Sequence, residues 1–216
     1  MAREGIKLED SGNIYIYIVF SDTPCKIGGF IRAVTHGIYN HVSVALDRDL
    51  SEMYSFARLK RDTPFCGGFV IEGAERYRLG PRTAKISVCR IKVGAEGSAK
   101  VRSRIRDMKE HPDIYVYNMI SAMLAPWRKH VYVRDSFTCV EFAVEMLNLA
   151  GIKLSSSCYS AMELYTQLSG YEVYTGEYPE TASVADDSFC DHISIPGRTI
   201  NSVKQLGRLM QRLILR

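Results

Sequence analysis

No stretch of this 216-residue chain approaches the run of about eighteen apolar residues that a membrane-spanning helix needs. Its opening segment, MAREGIKLEDSGN, is polar and charged and lacks the apolar centre of a secretion signal. These two absences make a cytoplasmic protein the simplest expectation. Six cysteines are present (Cys25, Cys66, Cys89, Cys139, Cys158 and Cys190), yet none forms a Cys-x-x-Cys pair or shows zinc-ligand spacing. In a reducing compartment they should be free thiols. The fragment Cys190-Asp191-His192 crowds two ligand types into one tract, which makes a poor metal site, so neither metal nor cofactor is expected. Internal repeats and low-complexity blocks are also lacking. The net charge of +4 is too mild to point to nucleic acid, which wants a concentrated basic face. What is there is ordinary: 46% hydrophobic and 24% charged residues, enough for one sizeable domain over 1–216.

Along the chain the periodicity changes once. NIYIYIVFS (13–21) is apolar on both faces and reads as a buried strand. DTPCKIGGFIRAVTHG reads as a short helix, with Thr23 as N-cap, Pro24 in first position and Gly37 after its end. NHVSVALD alternates, with Val42, Val44 and Leu46 on one face and His41, Ser43 and Ala45 on the other. RDL turns it back into SEMYSFAR. GGFVIEGAERY and AKISVCRIKV supply two more strands, so the first hundred residues are mainly β. SAKVRSRIRDMKE then spaces Val101, Ile105 and Met108 along one helical face. DIYVYNMISAMLA reads as a second helix, ended by Pro126. SAMELYTQLSG reads as a third, with a capping box of Ser160 and Glu163 and a stop at Gly170.

Charge is segregated only near the C-terminal end. Residues 176–191 are acidic and read as a loop. From Ser194 onward Arg198, Lys204, Arg208, Arg212 and Arg216 stand without any acid. Over 201–216 the basic residues recur every four positions, while Val203, Leu206, Leu209, Met210 and Leu213 line another face. The ordinary reading is a helix docked by its apolar stripe; the alternative is an interfacial helix on anionic lipid.

RDSFTCVEFAVEMLNLAG carries the strongest chemical signal. Thr138 with Glu141 three residues on fits a capping box, which makes Cys139 the first helical residue. Ser136 as cap would move Cys139 two positions inward and leave it in the first turn. Its sulfur then sits by unpaired backbone N–H groups at the positive end of the helix dipole. Helix N-termini and cationic neighbours can lower a cysteine pKa from about 8.5 to roughly 3.5–7.5. Phe142, Val144, Met146, Leu147 and Ala150 give this helix an apolar surface, and Gly151 ends it. A thiol nucleophile needs a proton partner, normally histidine. Of His36, His41, His111, His130 and His192, only His41 lies near the entrance of a clean alternating strand. A rigid strand can hold an imidazole at a fixed distance from a helix packed on the His41 face. A satisfied structural histidine is the competing reading.

YNHVSVALD, followed after a long gap by DSFTCVEFAVEMLNLAGI, resembles the circularly permuted papain-like hydrolases of the NlpC superfamily, in particular the YiiX/YaeF-like amidases. In that branch the histidine strand precedes the cysteine helix, the order of His41 and Cys139. The strand motif matches Tyr39 to Val44, the cysteine motif matches Phe137 to Phe142, and the likeness spans about Ile14 to Leu168. The resemblance implies an α+β papain-like fold, an antiparallel sheet packed on helices. It also implies attack by Cys139 on an amide, thioester or ester carbonyl, with His41 moving the proton. A third, orienting residue would come from the strand after the histidine strand. If Leu46 pairs with Leu50 across a three-residue loop, Ser55 falls opposite His41. A one-residue slip changes the face, so Tyr54, Glu52 and Glu72 stay open. Cys25 is a rival nucleophile in the unpermuted order, but it lies only 16 residues before His41, too few for the strands that normally intervene. The expected function is a cysteine amidase or peptidase on a small amide, peptide or acylated substrate. Lipid acyl transfer at a membrane surface and a non-catalytic papain-like scaffold are the alternatives, and oligomeric state is not fixed by the sequence.

Overall fold

Strand β1 (Ile14–Ser21) is apolar on both faces because both faces are covered. Ile16, Ile18 and Phe20 enter one apolar cluster, and Tyr17 and Val19 enter another on the opposite side. The computed structural model describes residues 12–23, 37–63, 66–79, 82–179, 187–191 and 194–214. Within these, β1 lies inside an eight-stranded sheet. Its other members are β2 (His41–Ala45), β3 (Met53–Arg58), β4 (Gly67–Ile71), β7 (Lys85–Val93), β8 (Val116–Tyr117), β9 (Ser136–Phe137) and β10 (Glu172–Glu177). The short pair β5 (Arg78–Leu79) and β6 (Arg82–Thr83) stands apart. The order across the large sheet is β10-β7-β1-β2-β3-β4-β8-β9, antiparallel except for the parallel β8–β9 pair.

Among the described residues there are six α-helices: α1 (Ala74–Tyr77), α2 (Ala95–Glu110), α3 (Met119–Leu124), α4 (Cys139–Leu149), α5 (Ala161–Leu168) and α6 (Ile195–Ile214). Helix α4 packs across β2 and β3 on the Val42/Val44 face, its Val140, Phe142, Ala143, Met146 and Leu147 joining the main cluster. Helix α2 adds Val101, Ile105 and Met108, and α5 adds Leu164 and Leu168. The opposite face is closed by Leu50, Met53, Tyr77, Ala84 and Tyr178. Observed α+β architecture therefore agrees with the sequence pattern, with the sheet mainly from the first half and helices mainly from the second.

Three expectations are corrected. DIYVYNMISAMLA is not one helix: Val116–Tyr117 is a strand, and α3 begins only at Met119. Asn118 divides them, its side chain accepting from the Ser121 N–H at 3.1 Å as the helix cap. The hairpin between β2 and β3 is longer than three residues, because Ala45 pairs with Met53 and the Leu46 N–H donates to the Glu52 carbonyl. Leu50 is not a strand residue; its φ of 56° turns the chain and its side chain is buried in the second cluster. The Asp47 carboxylate closes the turn, accepting from the Ser51 and Glu52 N–H groups at 3.0 and 2.6 Å. Finally, the acidic stretch 176–191 is not all loop. It starts inside β10 and ends in a 3-10 turn, Asp187–Cys190, and α6 begins well before 201. The helix read around Cys25, and with it Cys25, His36 and His192, lies outside the described residues.

Candidate active site

The Cys139 turn is built as the capping box requires. Thr138 Oγ1 accepts from the Glu141 N–H at 3.1 Å, and the Glu141 carboxylate accepts from the Thr138 N–H at 2.7 Å. The first intrahelical bond runs from Phe142 N–H to Thr138 O, so the N–H groups of Cys139 and Val140 have no partner in the preceding turn. Cys139 itself is 8% exposed. Its thiol lies beside the His41 imidazole, near enough to act on the ring's charge.

His41 is the first residue of β2, and its Nε2 lies 2.7 Å from Glu72 Oε1. With Nε2 so engaged, Nδ1 is the ring nitrogen left for the thiol. Helix α4 packs on the Val42/Val44 face rather than on the His41 face. The two side chains still meet because His41 stands at the strand's end, where β2 and β3 part company after the Val44–Tyr54 pair. There Ser55 Oγ donates to the Val42 carbonyl at 2.7 Å, taking the place of a ladder bond. The longer hairpin shifts the register by two residues, so Ser55 comes level with Ser43 instead of His41. The side chain against the imidazole is thus Glu72, one of the alternatives left open. Tyr54 stacks on Phe69 in the main core. Glu52 lies 3.6 Å from Arg102 at the surface.

Glu72 is 1% exposed and is held from behind. Ser43 Oγ donates to its Oε1 at 3.3 Å and contacts the Tyr77 hydroxyl at 3.0 Å. Arg76 Nε is 3.9 Å from its other oxygen. Burial alone would push His41 down, but the Glu72 charge, the neighbouring Cys139 and the Glu72 hydrogen bond outweigh it and raise the imidazole to about 10. Burial likewise tends to raise Glu72, and the charges of His41 and Arg76 with the His41 and Ser43 hydrogen bonds hold it below its ordinary value. Both shifts act in the direction of an imidazolium–carboxylate pair.

The remaining wall comes from β8. Tyr117 lies beside Cys139 and Glu141; burial first, then their charges, keeps its hydroxyl protonated far above its ordinary range. Asn118 Nδ2 donates to the Val131 carbonyl at 2.9 Å and so ties β8 to the chain entering the cysteine turn. Reading the sequence passed over Tyr117, Ser43, Tyr77 and Arg76. Two signals were there: Ser43 shares a strand face with His41, and Arg76 follows Glu72 at the i,i+4 spacing of an ion pair. The glycine pair Gly67-Gly68 was a third signal. A Cβ on Gly67 would lie 2.8 Å from both the Ala57 carbonyl oxygen and Tyr117 Cβ. Gly67→Ala should therefore push β4 and β8 apart and cost about 1–3 kcal/mol in urea unfolding.

Of the other described histidines, His111 contacts Asp107, and exposed His130 has its Nδ1 3.7 Å from Glu141 Oε1, the capping carboxylate of the cysteine turn. Among the described residues no group of three or more His, Cys, Asp or Glu is arranged to hold a metal ion. Asp191, from the tract considered as a metal fragment, accepts from Lys60 Nζ at 2.9 Å.

Fold and site together define an α+β protein with a thiol, an imidazole and a carboxylate in one contact chain at the end of a helix-covered sheet. No protein-family description and no curated protein matches the chain. A search of solved structures finds a distant likeness to the crystal structure of the Type VI secretion system effector TseH, 15% identical, with a TM-score of 0.39, over 74% of this chain and 89% of that one.

Proposed function

We propose that the chain is a cysteine hydrolase of the permuted papain-like type, acting on an amide, thioester or ester. The observation that supports this reading is the Cys139–His41–Glu72 contact chain, with the thiol on a capped helix N-terminus. In the proposed reaction the Cys139 sulfur, its proton held on His41, attacks the carbonyl carbon. The Cys139 and Val140 N–H groups receive the oxyanion. The His41 imidazolium donates its proton to the departing amine, thiol or alcohol, which leaves an acyl-Cys139 and a neutral imidazole. That imidazole then takes a proton from water as it attacks the acyl carbon, and collapse releases the acid and restores the Cys139 sulfur with its proton on His41. Glu72 keeps the ring oriented and the imidazolium stable throughout.

Selective capture of an electrophile tests this reading. The other described thiols are poor competitors. Burial pushes Cys89 up to about 12 and Cys158 up to about 11, and raises Cys66 as well. Iodoacetamide near neutral pH should label Cys139 at least about tenfold faster than any of these, with exposed Cys190 as an internal reference. Equal, slow labelling of all accessible thiols, or Cys25 as the sole fast thiol, would count against the assignment.

A further inference from the structure

Helix α6 is docked by one face and leaves a second apolar face in solvent. The docked face is short: Leu209 is buried against Val116 and Val133, with Leu213 beside it. Gln205 bonds the Gly67 backbone, and Arg212 donates to the carbonyls of Ile114, Arg134 and Asp135. The opposite side carries Ile200, Val203, Leu206, Met210 and Ile214, each between 42% and 76% exposed. Their spacing of three and four residues sets them in one stripe along the helix. This is a different stripe from the one that docks, and the apolar positions read from the sequence divide between the two. Met119, Ile120 and Val131 pack on the same small cluster as Leu209.

The charge around the stripe selects what can cover it. Lys204 is exposed on the flank of the stripe, and Arg208, also exposed, lies farther round toward docked Gln205; no Asp or Glu occurs from Ser194 to Arg216. Two copies pairing through this stripe would bring these cations together with no acid on either helix to offset them. An anionic lipid surface matches both features: aliphatic side chains enter the acyl boundary while lysine and arginine meet phosphates. No described helix is long and apolar enough to cross a membrane, so the contact is in the plane of the interface. We propose that α6 docks the protein on anionic membrane through Ile200, Val203, Leu206, Met210 and Ile214, with Lys204 and Arg208 on the headgroups.

Flotation of the full chain with phosphatidylcholine vesicles, with and without phosphatidylglycerol, tests this directly. Binding is expected only with phosphatidylglycerol and should weaken as salt is raised. The pair Lys204→Glu, Arg208→Glu should weaken it by about tenfold or more. The pair Val203→Ser, Met210→Ser should do the same at an unchanged melting temperature, since both side chains are exposed. Cys139→Ser should float like the unaltered chain, which separates this contact from the hydrolase reading. No flotation with phosphatidylglycerol, or flotation indifferent to either pair, would overturn the proposal. So would a monomer–dimer equilibrium in sedimentation that the Val203/Met210 pair abolishes, because the stripe would then belong to a second copy.

Discussion

Replacing Glu72 by glutamine is expected to slow electrophile capture at Cys139, and turnover of any substrate, by about 10²–10⁴-fold at neutral pH. Glutamine keeps the shape and a hydrogen-bond acceptor but removes the charge that overcomes burial at His41. Arg76 then stays as a buried cation without its counter-charge, its Nε 3.9 Å from where the carboxylate was. Burial and Arg76 act in the same direction, and the imidazole should titrate at or below its ordinary 6.5 instead of about 10. His41 ring-proton shifts followed by NMR across pH report this directly.

The same variant changes how stability depends on pH. His41 is raised on folding, so its contribution is fully present below 6.5 and is lost as pH rises through about 10. Glu72 is lowered, so its contribution is present above 4.5 and is lost as pH falls through its folded value. The pair thus stabilises the fold across the neutral range. In Glu72→Gln that stabilisation goes, and a buried arginine loses its counter-charge, together about 3–5 kcal/mol. Arg76→Met added to Glu72→Gln should recover much of the stability without restoring the His41 titration. A His41 pKa unmoved by Glu72→Gln would mean that the carboxylate plays no electrostatic part at the ring.

Cys139 and His41 were readable before the fold because each is marked by local pattern. The Thr138–Glu141 capping box fixes a helix start within one residue, and the alternation around Val42 and Val44 puts His41 on the other face of its strand; the helix nevertheless packs on the Val42/Val44 face, and His41 reaches it from the strand's end. Glu72 could not be chosen over Ser55 on such grounds. That choice depends on the β2–β3 register, and the register depends on Asp47 accepting backbone N–H groups and on Leu50 turning inward. A leucine at a positive φ carries no local signature; only the cavity it fills on the second face explains it. Tyr117 was missed for a related reason. The stretch 113–125 joins strand-favouring Ile114-Tyr115-Val116-Tyr117 to helix-favouring residues without a Gly or Pro between them, and its strand is completed because Gly67 and Gly68 leave room for another backbone and Val116–Tyr117 can pair with Ser136–Phe137. Which strand pairs with it is settled by tertiary contact, which local pattern does not show. The two apolar faces of α6 were merged for the same reason, since composition shows which residues are apolar and not which of them find a partner.

Phe142→Ala should destabilise the fold as strongly as Glu72→Gln, through packing instead of charge. The ring is fully buried on the inner face of α4, three residues after Cys139. It sits 5.5 Å from the Phe56 ring and 6.0 Å from the Phe69 ring, which belong to β3 and β4. Phe56 in turn meets Phe137, immediately before the cysteine turn, at 5.1 Å. One side chain therefore joins the helix carrying the thiol to the strands that lead to Glu72. Truncation leaves a cavity where backbone elements from three directions converge and collapse is resisted, so the cost should be about 3–5 kcal/mol. For a chain of this size that lowers the melting temperature by about 6–20 °C. Val203→Ser on the exposed stripe of α6 should stay within about 0.5 kcal/mol of the unaltered chain. If the aromatic cluster positions the helix as well as stabilising it, Phe142→Leu should fold at 25 °C yet capture iodoacetamide at Cys139 more slowly, because α4 can settle toward the smaller side chain. An unchanged capture rate in a folded Phe142→Leu would restrict the cluster to stability and leave the capping box and the β8–β9 pair to hold Cys139 in place.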